Sequence, residues 1–284
     1  MRPEILLAEP RGFCAGVERA LRKVEEALRE GPFPVYVLHE IVHNETVVES
    51  LRRRGVIFID EPAEARGGTL IFSAHGVSRT VEKESAELGI RVVDATCPIV
   101  KSLHRRMEEY AALGREILLF GRNGHREVEG LLGRVNVPVM VLESDADLER
   151  FLKTADRRKK YACLSQTTLN AEDVERMGMR LRTELPDVEV AAEVCFATRD
   201  RQNAVRKLAE KCPVILVVGS AKCSNTKRLY ETALECGVRA YLLPDASALN
   251  PEWVRGAFRV GITSGASAPE ELVQKLVARF AELS

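Results

Sequence analysis

Residues 91–104, RVVDATCPIVKSLH, place a cysteine between an apolar run typical of a β-strand and a stretch with the apolar spacing of an amphipathic helix. Two other cysteines have the same setting, at wide and similar intervals. ILLAEPRGF leads into Cys14 and VEVAAEV leads into Cys195, and a helix-like stretch follows each. Four soft ligands would close a zinc or cubane iron–sulfur site, whereas three thiolates leave one position open for a substrate.

Strand-like and helix-like segments alternate along the whole chain, and the same order of elements recurs after each of these cysteines. Such alternation is typical of parallel β/α units with right-handed crossovers. We therefore predict the α/β class, with three similar parallel β/α domains in a pseudo-threefold arrangement around a central site. The predicted domains are residues 1–96, 97–193 and 194–284.

Polar residues follow the strand-like runs in all three units. Parallel sheets bind ligands at the carboxyl ends of their strands, so three units around one axis would direct these residues to one cavity. The nine positions are Cys14, His43, His75, Cys97, His125, Thr167, Cys195, Ser224 and Ser267.

Composition excludes several classes of protein. The chain has 284 residues, 42 basic and 42 acidic side chains and a formal net charge of +0, so nothing indicates nucleic acid or an anionic membrane as a partner. No apolar run approaches a membrane span or a signal peptide, which predicts a cytoplasmic protein. The seven cysteines include no C-x-x-C pair, which argues against a disulfide framework, a zinc ribbon and a ferredoxin-type motif.

Eight short motifs, taken in order, carry a family resemblance. They are GFCAGV, HEIVHN, SAHGV, DATCP, GHREVEG, SQTTLN, CFATRDRQ and GITSGASAPE. Together they resemble the 4-hydroxy-3-methylbut-2-enyl diphosphate reductase (LytB/IspH) family over essentially the whole chain. The resemblance implies an oxidoreductase for the last step of the methylerythritol phosphate route to isoprenoids. Its reaction is reductive dehydroxylation of (E)-4-hydroxy-3-methylbut-2-enyl diphosphate to isopentenyl and dimethylallyl diphosphate.

The resemblance also implies roles for individual residues. Cys14, Cys97 and Cys195 would hold a [4Fe–4S] cluster with one iron open to substrate, and Glu127 would be the acid–base residue. The implied substrate-binding residues are His43, His75, His125, Thr167, Cys223, Ser224, Asn225 and Ser267.

The third polar loop departs from the family pattern, because Cys223 stands where serine is common. A thiol is a poorer hydrogen-bond partner than a hydroxyl, which puts one phosphate contact in doubt. Cys223 could instead approach the cluster, but a tolerated replacement of serine is the interpretation we favour over a fourth ligand.

Each residue also has a simpler interpretation. Isolated cysteines are often small buried hydrophobes, a single histidine is usually a loop or cap residue, and Ser267 with Glu270 reads as a capping box. Glu127 could be a first-turn helix glutamate, with Glu129 its competitor for the acid–base role. His104, beside two arginines in a helix, is predicted to lie on the surface.

No flavin or nicotinamide motif appears, so we expect electrons from an external donor such as a ferredoxin or flavodoxin. The other expected partner is the allylic diphosphate substrate, and we expect a monomer. Two alternatives remain open at this point. One is a non-redox enzyme with an open iron, of the quinolinate synthase type, and the other is a non-catalytic metal sensor or zinc module.

Overall fold

The computed structural model describes residues 3–282, which form twelve short strands and ten α-helices. The strands are β1 (Glu4–Leu7), β2 (Val35–Leu38), β3 (Val56–Ile59), β4 (Thr69–Phe72), β5 (Arg91–Asp94), β6 (Glu116–Phe120), β7 (Val139–Leu142), β8 (Tyr161–Ser165), β9 (Val188–Val190), β10 (Val214–Val218), β11 (Arg239–Leu243) and β12 (Arg259–Ser264). The helices are α1 (Ala15–Glu30), α2 (Glu45–Arg53), α3 (Arg79–Glu87), α4 (Pro98–Ala112), α5 (Arg126–Leu132), α6 (Asp145–Thr154), α7 (Ala171–Glu184), α8 (Phe196–Ala209), α9 (Ser224–Glu235) and α10 (Glu270–Glu282).

The strands form three parallel sheets with one shared topology. Sheet I has the order β3-β2-β4-β5, sheet II the order β7-β6-β8-β9, and sheet III the order β11-β10-β12-β1. In each sheet the strand that leads into a cysteine of the repeat lies at one edge, beside the third strand of its unit. The prediction of three similar parallel α/β units is confirmed.

The predicted domain 1–96 groups the first strand with the strands of sheet I, but this strand lies in sheet III. β1 pairs with β12, with Leu7 opposite Ile262, and so belongs to sheet III. The strands before the second and third cysteines close sheets I and II, and the strand before the first cysteine, β1, lies in the same way at the edge of sheet III. β1 therefore supplies the fourth strand and pairs the backbone groups of β12 that would otherwise be exposed at an edge.

The central strands are apolar at successive positions because helices cover both faces of the sheets. In β10, Leu216 packs in one buried cluster with α10, and Val217 packs in another with α8 and α9. Successive side chains of β6 also pack on opposite faces of their sheet: Leu118 packs with α6 and α7, and Leu119 packs with α4 and α5. The cores therefore lie between each sheet and its helices.

The chain divides into two compact units. The first combines the chain up to Glu18 with Val42–Ser50 and the chain from Phe196 onward, and it contains sheet III. The second consists of Arg19–Ile41 and Leu51–Cys195, and it contains sheets I and II. Within residues 3–282, no helix has both the length and the apolar character needed to cross a bilayer.

Candidate active site

Each cysteine of the repeat has its backbone tied to a neighbouring strand in the same way. The amide of Cys14 donates to the Ala266 carbonyl at 3.1 Å, and that of Cys97 donates to Ala74 at 3.0 Å. The amide of Cys195 donates to the Thr167 carbonyl at 3.1 Å. Each acceptor lies two residues beyond the last residue of β12, β4 or β8, so the same hydrogen bond occurs once at each of the three sheets.

The three cysteines are half-buried, and each directly precedes a long helix: α1, α4 or α8. All seven cysteines of the chain lie within the described residues, and none of them forms a disulfide. Cys14 lies in the first compact unit, whereas Cys97 and Cys195 lie in the second. Among residues 3–282, the histidine, cysteine and acidic side chains form no group of three that could hold a metal ion. The convergence of the three thiols stays a prediction.

Glu127, in the first turn of α5, is a buried carboxyl group of the second unit. Its side chain is 2% exposed. The Thr167 backbone amide donates to Glu127 Oε1 at 2.6 Å, and Oε2 lies 2.7 Å from Thr167 Oγ1. Burial raises the pKa of Glu127 to about 7, although the contacts to Thr167 oppose that rise. A carboxyl group with this pKa is able to deliver a proton at neutral pH.

Two predicted histidines lie at the amino end of the same helix, α5. His125 caps the amino end of α5, and its Nδ1 accepts a hydrogen bond from the Glu127 amide at 3.1 Å. In the neutral ring, Nε2 therefore carries the proton and is the donor. The rings of His75 and His125 meet edge to face, with their centroids 5.9 Å apart. The second unit thus brings His75, His125, Glu127 and Thr167 together.

The loop that carries His75 is held between two helices. Gly76 has φ +78°, and a Cβ atom at this position would lie 2.7 Å from His104 Cε1 of α4. On the side of α5, the Arg79 amide donates to the Gly133 carbonyl at 3.0 Å, and a Cβ on Gly133 would lie 2.2 Å from Ser78 Cβ. The loop therefore rests on the same helix that positions Glu127.

The prediction that His104 lies on the surface is wrong. Its side chain is 6% exposed, and its Nε2 has no hydrogen-bond partner among the described residues. Burial, together with the positive charge of Arg134, lowers the pKa of His104 to about 4. The side chain is therefore neutral at pH 7 and packs against Gly76. The two following arginines suggested an exposed face, but helical periodicity turns His104 inward with Val100 and Met107.

In the first unit, Ser267 connects two other predicted site residues. Its Oγ lies 3.2 Å from the carbonyl oxygen of His43 and 3.3 Å from Cys223 Sγ. The hydroxyl has one proton, so it donates to one of these acceptors at a time. Cys223 is buried and precedes α9 without capping it through its side chain. Its thiol therefore lies beside a predicted substrate-binding hydroxyl.

The Asn225 side chain, in the first turn of α9, is buried without hydrogen bonds to the described residues. The side chain is 2% exposed, and neither its Oδ1 nor its Nδ2 has a hydrogen-bond partner in the described part of the chain. Leaving a buried polar group unpaired costs about 1–3 kcal/mol, so such a group commonly has a functional reason. Ser224, the first residue of α9, is also buried. This turn has the donors that an anionic ligand needs.

Two residues that hold the Cys14 loop were absent from the predicted site. The side chains of Ser264 and Arg201 both form hydrogen bonds with the backbone of Gly12. The motif GITSGASAPE contains Ser264 and the motif CFATRDRQ contains Arg201, but both contacts join positions far apart in the chain. A motif match alone does not reveal such contacts.

A family model described as "LytB protein" matches residues 5–281. The chain belongs to this family. A LytB relative from Desulfotalea psychrophila is 48% identical over 96% of this chain and 88% of its own length. Another, from Bordetella bronchiseptica, is 46% identical over 99% of this chain and 86% of its own length. Both are named 4-hydroxy-3-methylbut-2-enyl diphosphate reductase.

Two solved structures of this LytB-type fold resemble the chain. One is the E-1-hydroxy-2-methyl-but-2-enyl-4-diphosphate reductase from Plasmodium falciparum, with a TM-score of 0.93 and 33% identity over 98% of this chain and 88% of that one. The other is an (E)-4-hydroxy-3-methyl-but-2-enyl diphosphate reductase described as the terminal enzyme of the non-mevalonate pathway. It has a TM-score of 0.70 and 35% identity over 99% of this chain and 100% of that one.

Replacing Glu127 with glutamine should change how stability depends on pH. Glutamine mimics the protonated carboxyl group, which the raised pKa favours in the folded state. The wild type should lose stability as pH rises from about 4.5 to about 7, because only the unfolded chain ionises readily in that window. Urea unfolding should therefore find Glu127→Gln more stable by about 3 kcal/mol at pH 8, with a much smaller difference at pH 4.5. A difference in the free energy of unfolding that does not change with pH would contradict the raised pKa of Glu127.

Alanine should be tolerated at Gly130 but not at Gly133, although both residues lie where α5 meets the His75 loop. A Cβ on Gly130 would be 3.4 Å from the Gly76 oxygen, an ordinary contact, whereas one on Gly133 would clash with Ser78. We expect Gly133→Ala to lower the free energy of unfolding by about 1–3 kcal/mol and to broaden the NMR signal of the His75 ring. Gly130→Ala is the matched control, and equal effects would show that the clash does not decide the outcome.

Proposed function

We propose that this chain is a 4-hydroxy-3-methylbut-2-enyl diphosphate reductase that uses Glu127 as its proton donor. Membership of the LytB family and the names of its relatives support the reaction. The observation that carries the acid–base assignment is the buried carboxyl group of Glu127, with its pKa of about 7 and its two contacts to Thr167. Glu129, its competitor by sequence, is half-exposed and paired with Arg126.

The reaction replaces an allylic C–O bond by a C–H bond. The substrate takes up two electrons and two protons, loses its hydroxyl as water and leaves isopentenyl or dimethylallyl diphosphate. Departure of hydroxide is slow unless a proton reaches the oxygen, and a neutral Glu127 carboxyl is suited to deliver it. The Oε2 contact with Thr167 Oγ1 keeps the carboxyl group in one orientation during the transfer.

Three cysteines as the only protein ligands fit a [4Fe–4S] cluster better than a closed zinc site. Cys14, Cys97 and Cys195 are soft sulfur donors with repeated backbone anchors, and no fourth cysteine has this setting. Held by these residues, a cluster would supply the two electrons singly and one iron with an open position. An external ferredoxin or flavodoxin is the proposed electron donor, and we expect a cytoplasmic monomer.

Buried and half-buried polar groups support the proposed diphosphate site. Asn225 offers an unpaired amide, and the Ser267 hydroxyl is within reach of Cys223. His43 and His125 each carry a ring N–H that is able to donate to phosphate oxygens. Ser224 contributes its hydroxyl at the start of α9, where backbone amides also favour an anion. With His75 and Thr167, these residues form the proposed substrate-binding set.

The reaction is tested by an anaerobic assay on the full chain after reconstitution with iron and sulfide. With 4-hydroxy-3-methylbut-2-enyl diphosphate, oxidation of reduced viologen should accompany formation of both five-carbon diphosphates. We expect Glu127→Gln to lower kcat by about 100-fold or more with unchanged iron content, and Glu129→Gln to be close to wild type. Near-wild-type turnover of Glu127→Gln would remove Glu127 from the mechanism. An iron-loaded wild type that is inert to this substrate would reject the reductase.

Serine at position 223 should strengthen substrate binding without altering the cluster. A hydroxyl accepts and donates hydrogen bonds better than a thiol, so Cys223→Ser should lower KM for the diphosphate several-fold with kcat unchanged. The Mössbauer spectrum without substrate should equal that of the wild type. A changed spectrum would instead make Cys223 a cluster ligand.

A further inference from the structure

The loop that leads to Cys14 is longer than its two counterparts. Residues 8–13 separate β1 from Cys14, whereas residues 95–96 separate β5 from Cys97 and residues 191–194 separate β9 from Cys195. A longer loop has more conformations to lose, so its cysteine is held in one place only if other contacts restrict the loop. These contacts are present in the first compact unit.

Gly12, two residues before Cys14, is bonded at both of its backbone polar groups. Its amide donates to Ser264 Oγ at 2.8 Å, and its carbonyl accepts from Arg201 Nη2 at 2.8 Å. Its φ of +71° lies in the left-handed region, where the chain makes a tight turn toward the cysteine. The two contacts therefore restrict the turn that aims the loop at Cys14.

Arg201 is built into the protein interior. Its side chain is 3% exposed, and Nη1 donates to the Ala197 carbonyl in its own helix at 2.9 Å. The planar guanidinium thus joins the first turn of α8 to the Cys14 loop with two donors in a rigid fork. Hydrogen bonds from a charged donor are stronger than neutral ones, and a buried one is screened little by solvent.

We propose that Arg201 is a positioning residue that holds the Gly12 turn and thereby keeps Cys14 in place. Arg201 contacts the segment before Cys14, which is the longest of the three, whereas the segments before Cys97 and Cys195 are shorter and leave less freedom to restrict. The consequence for a metal centre rests on the proposed function, whereas the effect on the loop does not. Ser264 acts with Arg201 from the opposite side of the same turn.

The test compares amide hydrogen exchange in the wild type and in Arg201→Met, using the full chain both free of iron and reconstituted with iron and sulfide. Loss of the charged hydrogen bond should speed exchange of the Gly12 and Cys14 amides by about tenfold or more in the iron-free chain. The amides of Cys97 and Cys195 should keep their wild-type rates and serve as internal references. Arg199→Met, at an exposed position of the same helix, is the matched control.

Two further measurements separate positioning from a general effect on folding. Ser264→Ala removes the other contact of Gly12, so it should accelerate exchange at the same two amides even if Arg201→Met folds poorly. Arg201→Lys keeps the positive charge but lacks the two guanidinium N–H donors that contact Ala197 and Gly12. It should resemble Arg201→Met if both donors are needed to hold the loop. In the reconstituted protein, both Arg201 variants should release iron to a chelator several-fold faster than Arg199→Met.

Unchanged exchange at Gly12 and Cys14 would overturn the proposal. Equal acceleration at all three cysteines would also overturn it, because Arg201 would then support the fold in general. A wild-type chain that binds no iron would refute the proposed cluster, while the exchange rates would still decide the role of Arg201.

Discussion

One backbone hydrogen bond, repeated three times, ties each proposed ligand to the scaffold. The amide before each long helix donates to the loop that leaves the third strand of its sheet, as Cys97 does to Ala74. This contact places the start of a helix beside the carboxyl end of a parallel strand, where polar loops collect. The cysteine and the polar residues of that loop then share one rigid frame. This contact extends the pairing of the two strands, such as Phe72 with Asp94, as far as the cysteine.

Glu127 shows how the fold supports a group that is unfavourable for stability. A carboxyl group at 2% exposure cannot ionise cheaply, so the folded protein keeps it protonated up to about pH 7. The contacts from Thr167 limit this cost and fix the orientation of the group. The same burial that weakens the fold at alkaline pH provides an acid near neutrality. The stability of the fold and the proton delivery that we propose are therefore linked through one side chain.

The fold was largely predictable because its signals are local. Alternating apolar runs and helical periodicity indicate strands and helices within short windows, and repetition of their order indicates similar units. One expectation, the exposure of His104, failed, and the strand that pairs with β1 was not predicted. β1 joined sheet III because β12 needed a partner at its edge. His104 turns inward on its helix with Val100 and Met107, and the loop at Gly76 packs against it.

The sequence by itself determined the order of elements, the family and the residue types available for chemistry, since these depend on neighbours in the chain. Only the tertiary structure decided the protonation of Glu127, the unpaired amide of Asn225 and the anchoring of Gly12 by Arg201. Burial and long-range hydrogen bonds are properties of the packed molecule, in which Gly12 meets Arg201, 189 positions away, and Ser264, 252 positions away. Local periodicity indicates which face of an element turns inward, but it does not specify the contact partner of a given side chain, so these contacts appear only when the chain is folded.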